Sequence, residues 1–201
     1  MTIHTLPLGA YQTNTYILEN EGRCIILDPG YAPDAILSFL AQKDLTADAI
    51  MLTHGHFDHV GAVKKILEAT GCRLWLSEKD WQQGTDPASL SLYPLANHVL
   101  PNMRFYAEGD EILAAGMTFA VLETPGHTPG SVCLLTENSL FTGDTLFAGS
   151  CGRTDLPGGS WAVIQKSLHR LSTLGSALRV YPGHGNSTTL AAEKQYNPYM
   201  R

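Results

Sequence analysis

The segment Thr53-His54-Gly55-His56-Phe57-Asp58-His59 places three imidazoles and one carboxylate within six residues. Imidazole nitrogen with carboxylate oxygen suits zinc, iron, manganese or cobalt, and the absence of thiolate from the cluster argues against a structural zinc site of the finger kind. Random ordering of this composition gives H-x-H-x-D-H at a given position roughly three times in a million, so coincidence is a weak explanation. Histidines that merely satisfy polar contacts in a core have no reason to crowd one short segment.

The elements around the segment must aim these groups. An apolar strand, Ala49 to Leu52, delivers His54; small Gly55 lets the backbone turn; Asp58 and His59 open a helix whose apolar face is Val60, Val63, Ile66 and Leu67. His54 and His56, two apart on near-extended backbone, point the same way, and Asp58 and His59 re-enter from the first helical turn. The same grammar of strand, glycine and ligand type recurs at Leu122 to His127, Leu140 to Asp144 and Val180 to His184. Glycine or Pro-Gly at a strand end permits a sharp turn, so His127, Asp144 and His184 can gather with the first cluster along one sheet edge. Seven ligands are too many for one tetrahedral ion and suit two.

Short apolar runs alternating with turn signals and a few amphipathic stretches give an α/β pattern. Strands are expected at Ile3 to Leu6, Thr15 to Leu18, Cys24 to Leu27, Ala49 to Leu52, Arg73 to Leu76, Met103 to Tyr106, Met117 to Leu122, Ser131 to Leu135, Ser139 to Phe141 and Arg179 to Tyr181. Helices are expected at Ala35 to Ala41, from Asp58 through Leu67, and at Trp161 to Leu171 with Ser160 as N-cap and Trp161, Ile164, Leu168 and Leu171 on one stripe. A last helix near Thr189 to Gln195 stops before Asn197-Pro198. Ser77 to Asp110, interrupted by Pro87, Pro94 and Pro101, reads as a surface excursion, either a functional loop or a decorative insertion.

At 201 residues and 44% hydrophobic content, one domain spanning residues 1–201 is expected. The formal charge of −6 and the lack of a basic stripe argue against nucleic acid as a partner. No signal core or membrane span is visible, so the expected location is the cytosol; nothing bears on oligomeric state. The four cysteines form no C-x-x-C pair; Cys24, Cys72 and Cys133 read as core residues, whereas Cys151 has polar, glycine-rich neighbours.

The constellation closely resembles the metallo-β-lactamase superfamily, and within it the short, single-domain members of the glyoxalase II (hydroxyacylglutathione hydrolase) group. Besides H-x-H-x-D-H, the resemblance rests on Leu27-Asp28-Pro29-Gly30, Thr124 to Ser131, Thr142 to Phe147, Cys151-Gly152-Arg153-Thr154-Asp155 and Tyr181 to Gly185, in that order. It implies an αββα sandwich of two mixed β-sheets flanked by helices. It further implies one metal at His54, His56 and His127, a second at Asp58, His59 and His184, and Asp144 as a bridge. Zinc is the expected pair, with iron or manganese as alternatives. Asp28 reads either as a partner orienting a ligand histidine or as a turn-forming Asp before Pro.

The resemblance also selects a reaction: a small-molecule thioester such as S-lactoylglutathione, hydrolysed by a water acidified between two cations, with Asp58 orienting the nucleophile or accepting its proton. A thiolate leaves with little acid assistance. The chain reaches Arg201 soon after Asn197-Pro198-Tyr199, without the C-terminal helical domain with which full-length glyoxalase II enzymes grip glutathione. After Cys151-Gly152, those enzymes carry a basic residue and then a tyrosine, where this chain has Arg153-Thr154-Asp155; Arg153 either binds a substrate carboxylate or pairs with Asp155. The same five residues resemble the persulfide dioxygenases, which use one iron and oxygen and form the alternative reading. A nuclease and a non-catalytic metal-binding module rank lower. His4, His98 and His169 lie outside every strand-end motif and are expected to be replaceable.

Overall fold

The structure, a computed structural model, describes residues 1–83, 89, 91–96 and 98–200. Two six-stranded mixed sheets form its centre. The first runs in chain order: β1 (Thr2–Leu8), β2 (Thr13–Asn20), β3 (Arg23–Leu27), β4 (Thr46–Met51), β5 (Arg73–Ser77) and β6 (Met103–Tyr106). Its first three strands are antiparallel and β3 to β6 are parallel. The second sheet holds β7 (Glu111–Ala114), β8 (Met117–Glu123), β9 (Val132–Thr136), β10 (Ser139–Gly143), β13 (Arg179–Pro182) and β14 (Thr188–Thr189), with β13 between β10 and β14. A small hairpin, β11 (Leu146–Phe147) and β12 (Ser150–Cys151), stands beside it.

Strand periodicity explains the layering. Ile25 and Leu27 point from β3 into the inter-sheet core with Phe119, Val121, Leu134 and Phe141, while Cys24 and Ile26 point the other way. The outer face of the first sheet is covered by α1 (Pro33–Gln42) and α3 (Val63–Thr70) through Ile36, Leu40, Val63, Ile66 and Leu67. The outer face of the second is covered by α5 (Trp161–Ser172) and α6 (Leu190–Tyr196) through Ile164, Leu168, Leu171 and Leu190. This is the expected αββα sandwich. Strands buried on both faces read as continuous apolar runs, which is why β3 and β4 were legible.

The expected strands all form, within a residue or two at the ends except β4, which starts three residues earlier than expected. Those without a forecast, β7, β11, β12 and β14, are two to four residues long, too short to show a period. The helix expected from Asp58 through Leu67 is instead two, α2 (Phe57–Val60) and α3, broken at Gly61 and Ala62. The turn after β3 docks at that joint: Ala62 N–H donates to Pro29 O at 2.9 Å, and a Cβ on Gly61 would lie 2.4 Å from Gly30 O. A backbone pressed against a helix captures one of its donors, and the ladder stops there.

Three further expectations need correction. Ser160 occupies the N-cap of α5 with extended backbone, but its side chain makes no capping bond. Trp161 is 45% exposed and packs edge-on against Tyr199 rather than joining the apolar stripe. The stretch from Ser77 to Asp110 is no simple surface excursion, because Asp80 on α4 (Glu78–Gln83) and Tyr93 are both buried. Pro87 lies outside the described residues. Cys24, Cys72 and Cys133 are buried free thiols, and Cys151 is half-buried.

Candidate metal centre

The seven residues named from sequence converge. His54 and His56 follow β4, Asp58 and His59 lie on α2, and His127, Asp144 and His184 follow β8, β10 and β13, so the ends of both sheets feed one edge. One group with ligand atoms within 4.8 Å of one another is His54, His56 and His127; a second is Asp58, His59 and His184. Asp144 sits between them, with Oδ2 3.5 Å from His127 Nε2 and 3.5 Å from His184 Nε2, and Oδ1 3.4 Å from His59 Nε2. The histidines outside the motifs stay outside: His4 bonds Glu19 at 2.7 Å on the β1–β2 face.

Hydrogen bonds fix which nitrogen of each ring looks inward. His127 Nδ1 donates to Arg153 O at 2.8 Å and His184 Nδ1 to Tyr11 O at 3.0 Å, so each offers its Nε2 lone pair to the centre. His59 Nδ1 donates to Asp28 Oδ2 at 3.0 Å, with the same result. Thr53 Oγ1 donates to Asp28 Oδ2 at 2.6 Å and is thereby free to accept from His54 Nδ1 at 3.2 Å. His56 turns the other way, its Nδ1 facing His127 Nε2 at 2.9 Å. His59 Nε2 and His184 Nε2 face each other at 3.3 Å.

Asp28 makes the contact to a candidate ligand ring, His59, and also lies in a turn before Pro29. Its backbone is left-handed, φ 48°, a conformation costing about 1 kcal/mol for a non-glycine residue. Its carboxylate also accepts Thr53 N–H at 2.7 Å, tying strand end to ligand ring.

Electrostatics agree with a cation-binding role. Burial, reinforced by the neighbouring imidazoles, holds His54 well below the usual histidine range and His56 down to about 3, so both stay neutral donors. Burial works to raise Asp144, but the His59, His127 and His184 rings outweigh it and hold the carboxyl well below the ordinary range. Burial works against the charged form of His59, yet Asp144 and Asp28 pull it well above the usual value; burial likewise opposes the charged form of His184, but Asp58 and Asp144 raise it. The carboxylates, in short, demand positive charge. Among the described residues, His54 Nε2 and Asp144 Oδ1 are buried with no hydrogen-bond partner. Buried polar atoms without partners are rare in folded proteins, and a metal ion is one established reason for them. This donor set fits the divalent cations that the sequence implied.

Gly183, read from sequence as the turn before His184, has a second use: a Cβ there would lie 2.3 Å from Asp144 Oδ1 and 2.7 Å from His59 Cε1, so glycine also makes room for the centre itself. One position at the site escaped the sequence reading. Asn14 holds the His184 loop, its N–H donating to Gly183 O at 2.7 Å and its amide to Pro182 O and Gly185 O. Nothing local to Asn14 reports this, since its partners lie about 170 residues away. Arg153 makes a bidentate pair with Asp155, both bonds 2.7 Å, at the exposed mouth.

The centre opens into a cleft of about 580 Å³ lined by Tyr11, Phe57, Leu92, Phe147 and Leu156, with Cys151 and Arg153 beside them. This size suits a small-molecule ligand.

Comparison with known proteins accords with this geometry. Residues 8–184 match the model of the metallo-beta-lactamase superfamily. The hydroxyacylglutathione hydrolase GloC of Haemophilus influenzae is 34% identical, covering 100% of this chain and 98% of its own. Among solved structures, BLEG-1 B3 metallo-beta-lactamase superposes with a TM-score of 0.90 at 36% identity, covering 99% of both chains. TTHA1623 in a di-iron-bound form gives 0.85 at 39% identity, covering 98% of this chain and 99% of that one. ETHE1 from Myxococcus xanthus gives 0.84 at 31% identity, covering 98% and 84%. With the sandwich, the strand-end ligands and these full-length likenesses together, the chain belongs to the metallo-β-lactamase superfamily, whose members are generally metal-dependent hydrolases.

Proposed function

We propose that this chain is a two-metal hydrolase of small acyl thioesters, S-lactoylglutathione or a near relative among them. The observation that carries the reading is the pair of facing ligand groups with the Asp144 carboxylate between them. The end-to-end likeness to the GloC hydrolase supports the choice of thioester.

His54, His56 and His127 would hold one ion, Asp58, His59 and His184 the other, and Asp144 would touch both. Two divalent ions, zinc first among the candidates, would supply a water acidic enough to ionise near neutral pH and a Lewis acid for the substrate carbonyl. Asp58 would orient that water or take its proton; its carboxylate borders the cleft, with Oδ2 3.3 Å from Thr13 Oγ1 and 3.2 Å from His184 Nε2. The apolar wall of Tyr11, Phe57 and Phe147 would take the acyl or thiol arm and exclude water from it. Arg153 would meet a substrate carboxylate by exchanging Asp155 for it; the pair is fully exposed, and solvent-screened pairs of that kind are readily exchanged. The thiolate, with a pKa near that of free cysteine, leaves without a dedicated acid.

A second reading is favoured by Cys151 to Asp155 at the cleft mouth and by the likeness to ETHE1: a one-iron persulfide dioxygenase. Metal counting on purified protein, run beside thioester hydrolysis and oxygen consumption with glutathione persulfide, separates the two. The proposal expects two divalent ions per chain and loss of S-lactoylglutathione absorbance. One iron with oxygen uptake would transfer the assignment to the dioxygenase, and bound metal with neither activity would leave a binding module. The likeness to BLEG-1 makes a β-lactam the natural third substrate in the same assay.

A further inference from the structure

The three-histidine group is assembled from two separate loops, because His56 and His127 are 71 residues apart in sequence. One backbone bond, Val132 N–H to Thr53 O at 2.8 Å, joins the segments near their roots. Closer to the rings, besides the contact between His56 and His127 themselves, the two loops share a carboxylate, Asp80 on α4, which is 2% exposed. Its Oδ2 accepts Gly55 N–H at 2.8 Å, from the residue between the two histidines of the first loop. The same oxygen accepts Thr128 Oγ1–H at 2.8 Å, and Oδ1 accepts Gly130 N–H at 2.7 Å, both from the loop carrying His127.

The flanking glycines fit this contact. Neither Gly55 nor Gly130 has a positive φ, so neither is needed for an unusual backbone. A Cβ on Gly55 would lie 3.0 Å from both Asp80 Cβ and Tyr93 Cδ1, and one on Gly130 2.4 Å from Ser77 Oγ and 2.5 Å from Asp80 Oδ1. Small residues at both positions leave room for the Asp80 carboxylate and its neighbours Ser77 and Tyr93 between the two loops.

We propose that Asp80 is a positioning residue for the three-histidine group: it sets the separation of His56 and His127, and hence the affinity of that half of the centre for its ion, while touching neither ion nor substrate. This rests on the two-metal reading above. An aspartate is required because all three partners are donors directed at its two oxygens; an asparagine would turn an NH2 toward one of them.

The test is zinc binding by the full chain. Wild type, Asp80→Asn and Thr128→Val are equilibrated against buffered free zinc, ions per chain are counted, and folding is checked by far-UV circular dichroism and thermal melting. Cobalt(II) replaces zinc in a parallel set for its d–d absorption. Asp80→Asn is expected to melt cooperatively, to keep one ion at wild-type affinity and to hold the other at least tenfold more weakly, with only one component of the cobalt spectrum altered. Thr128→Val, which removes one donor of three, weakens the same ion less. Two ions at wild-type affinity in Asp80→Asn, or parallel loss of both, overturns the inference and leaves the two-metal reading intact. Should Asp80→Asn not fold, Thr128→Val decides, and unchanged zinc affinities in it overturn the inference. A wild type that binds no zinc at all removes the two-metal reading and this inference with it.

Discussion

Asp144 presents one oxygen toward His59 and the other toward His127 and His184, so it adjoins both candidate ligand groups. Its replacement by alanine is expected to empty or unbalance both sites, lowering metal content by at least one ion per chain and thioester turnover by 100-fold or more, as for loss of a principal charge-stabilising group (about 3 kcal/mol). Elemental analysis beside a kinetic assay checks this; full metal and full activity in Asp144→Ala would contradict the bridge. At this scale the sequence was most informative. Each ligand follows a strand end and most follow a glycine, so residue type and spacing alone singled them out. The residues it passed over, Asn14 and Asp80, carry no local mark, since their significance lies in donors and acceptors supplied by distant loops.

Elements deliver those residues, and two ties between elements are open to measurement. Helix α6 braces the β11–β12 hairpin: buried Glu193 accepts Gly149 N–H at 2.8 Å, Thr188 Oγ1–H at 2.7 Å and Asn197 Nδ2–H at 2.8 Å, and Asn197 also donates to Ser150 O at 3.0 Å. Phe147, Ser150 and Cys151 of that hairpin line the cleft. Glu193→Ala strands one buried donor, Asn197 Nδ2–H, and two part-buried ones that water can partly satisfy, so a stability loss of about 2 kcal/mol is expected. Denaturant melts should show that loss, and kinetics should show a raised KM for the thioester with metal content retained. On the opposite sheet, Asp48 of β4 joins Arg23 of β3 and Arg73 of β5 and accepts Ala115 N–H from the β7–β8 turn. Burial works to raise its carboxyl, but the Ala115 bond and the two guanidinium groups outweigh it, leaving it below the usual range. A carboxylate lowered on folding stabilises the protein above its unfolded pKa of about 3.9 and ceases to do so as pH falls through the folded value. Asp48→Asn is therefore expected to melt earlier than wild type at pH 7, by about 1 kcal/mol for a partly exposed network, and the gap should close below about pH 4. A gap that widens toward acid would reverse the assignment.

At the scale of the whole molecule, the two sheets hold the centre at their common edge, so metal and fold are thermodynamically linked. An ion present at about 1,000 times its Kd adds roughly 4 kcal/mol of stability, equivalent to roughly 10 °C in melting temperature for a chain of this size. Chelation should lower the melting point by that order and zinc should restore it; a melting curve indifferent to both would deny the centre its ions. Among the described residues no helix is long and apolar enough to cross a membrane, which matches the sequence profile.

The sequence by itself determined the alphabet of the site and the ends of the strands that carry it, because metal ligation depends on residue type and because a two-residue period or a strand-end glycine is a local signal. The apolar runs also marked β3 and β4 as strands buried on both faces, whereas the sandwich itself was implied only by the resemblance to the metallo-β-lactamase superfamily. Only the tertiary structure decided how helix α2 ends against the Pro29–Gly30 turn, which nitrogen each histidine turns inward, and which carboxylates stand behind the rings. Those outcomes depend on single hydrogen bonds between segments up to 173 residues apart, and no short-range pattern encodes a partner that arrives only when both sheets have closed.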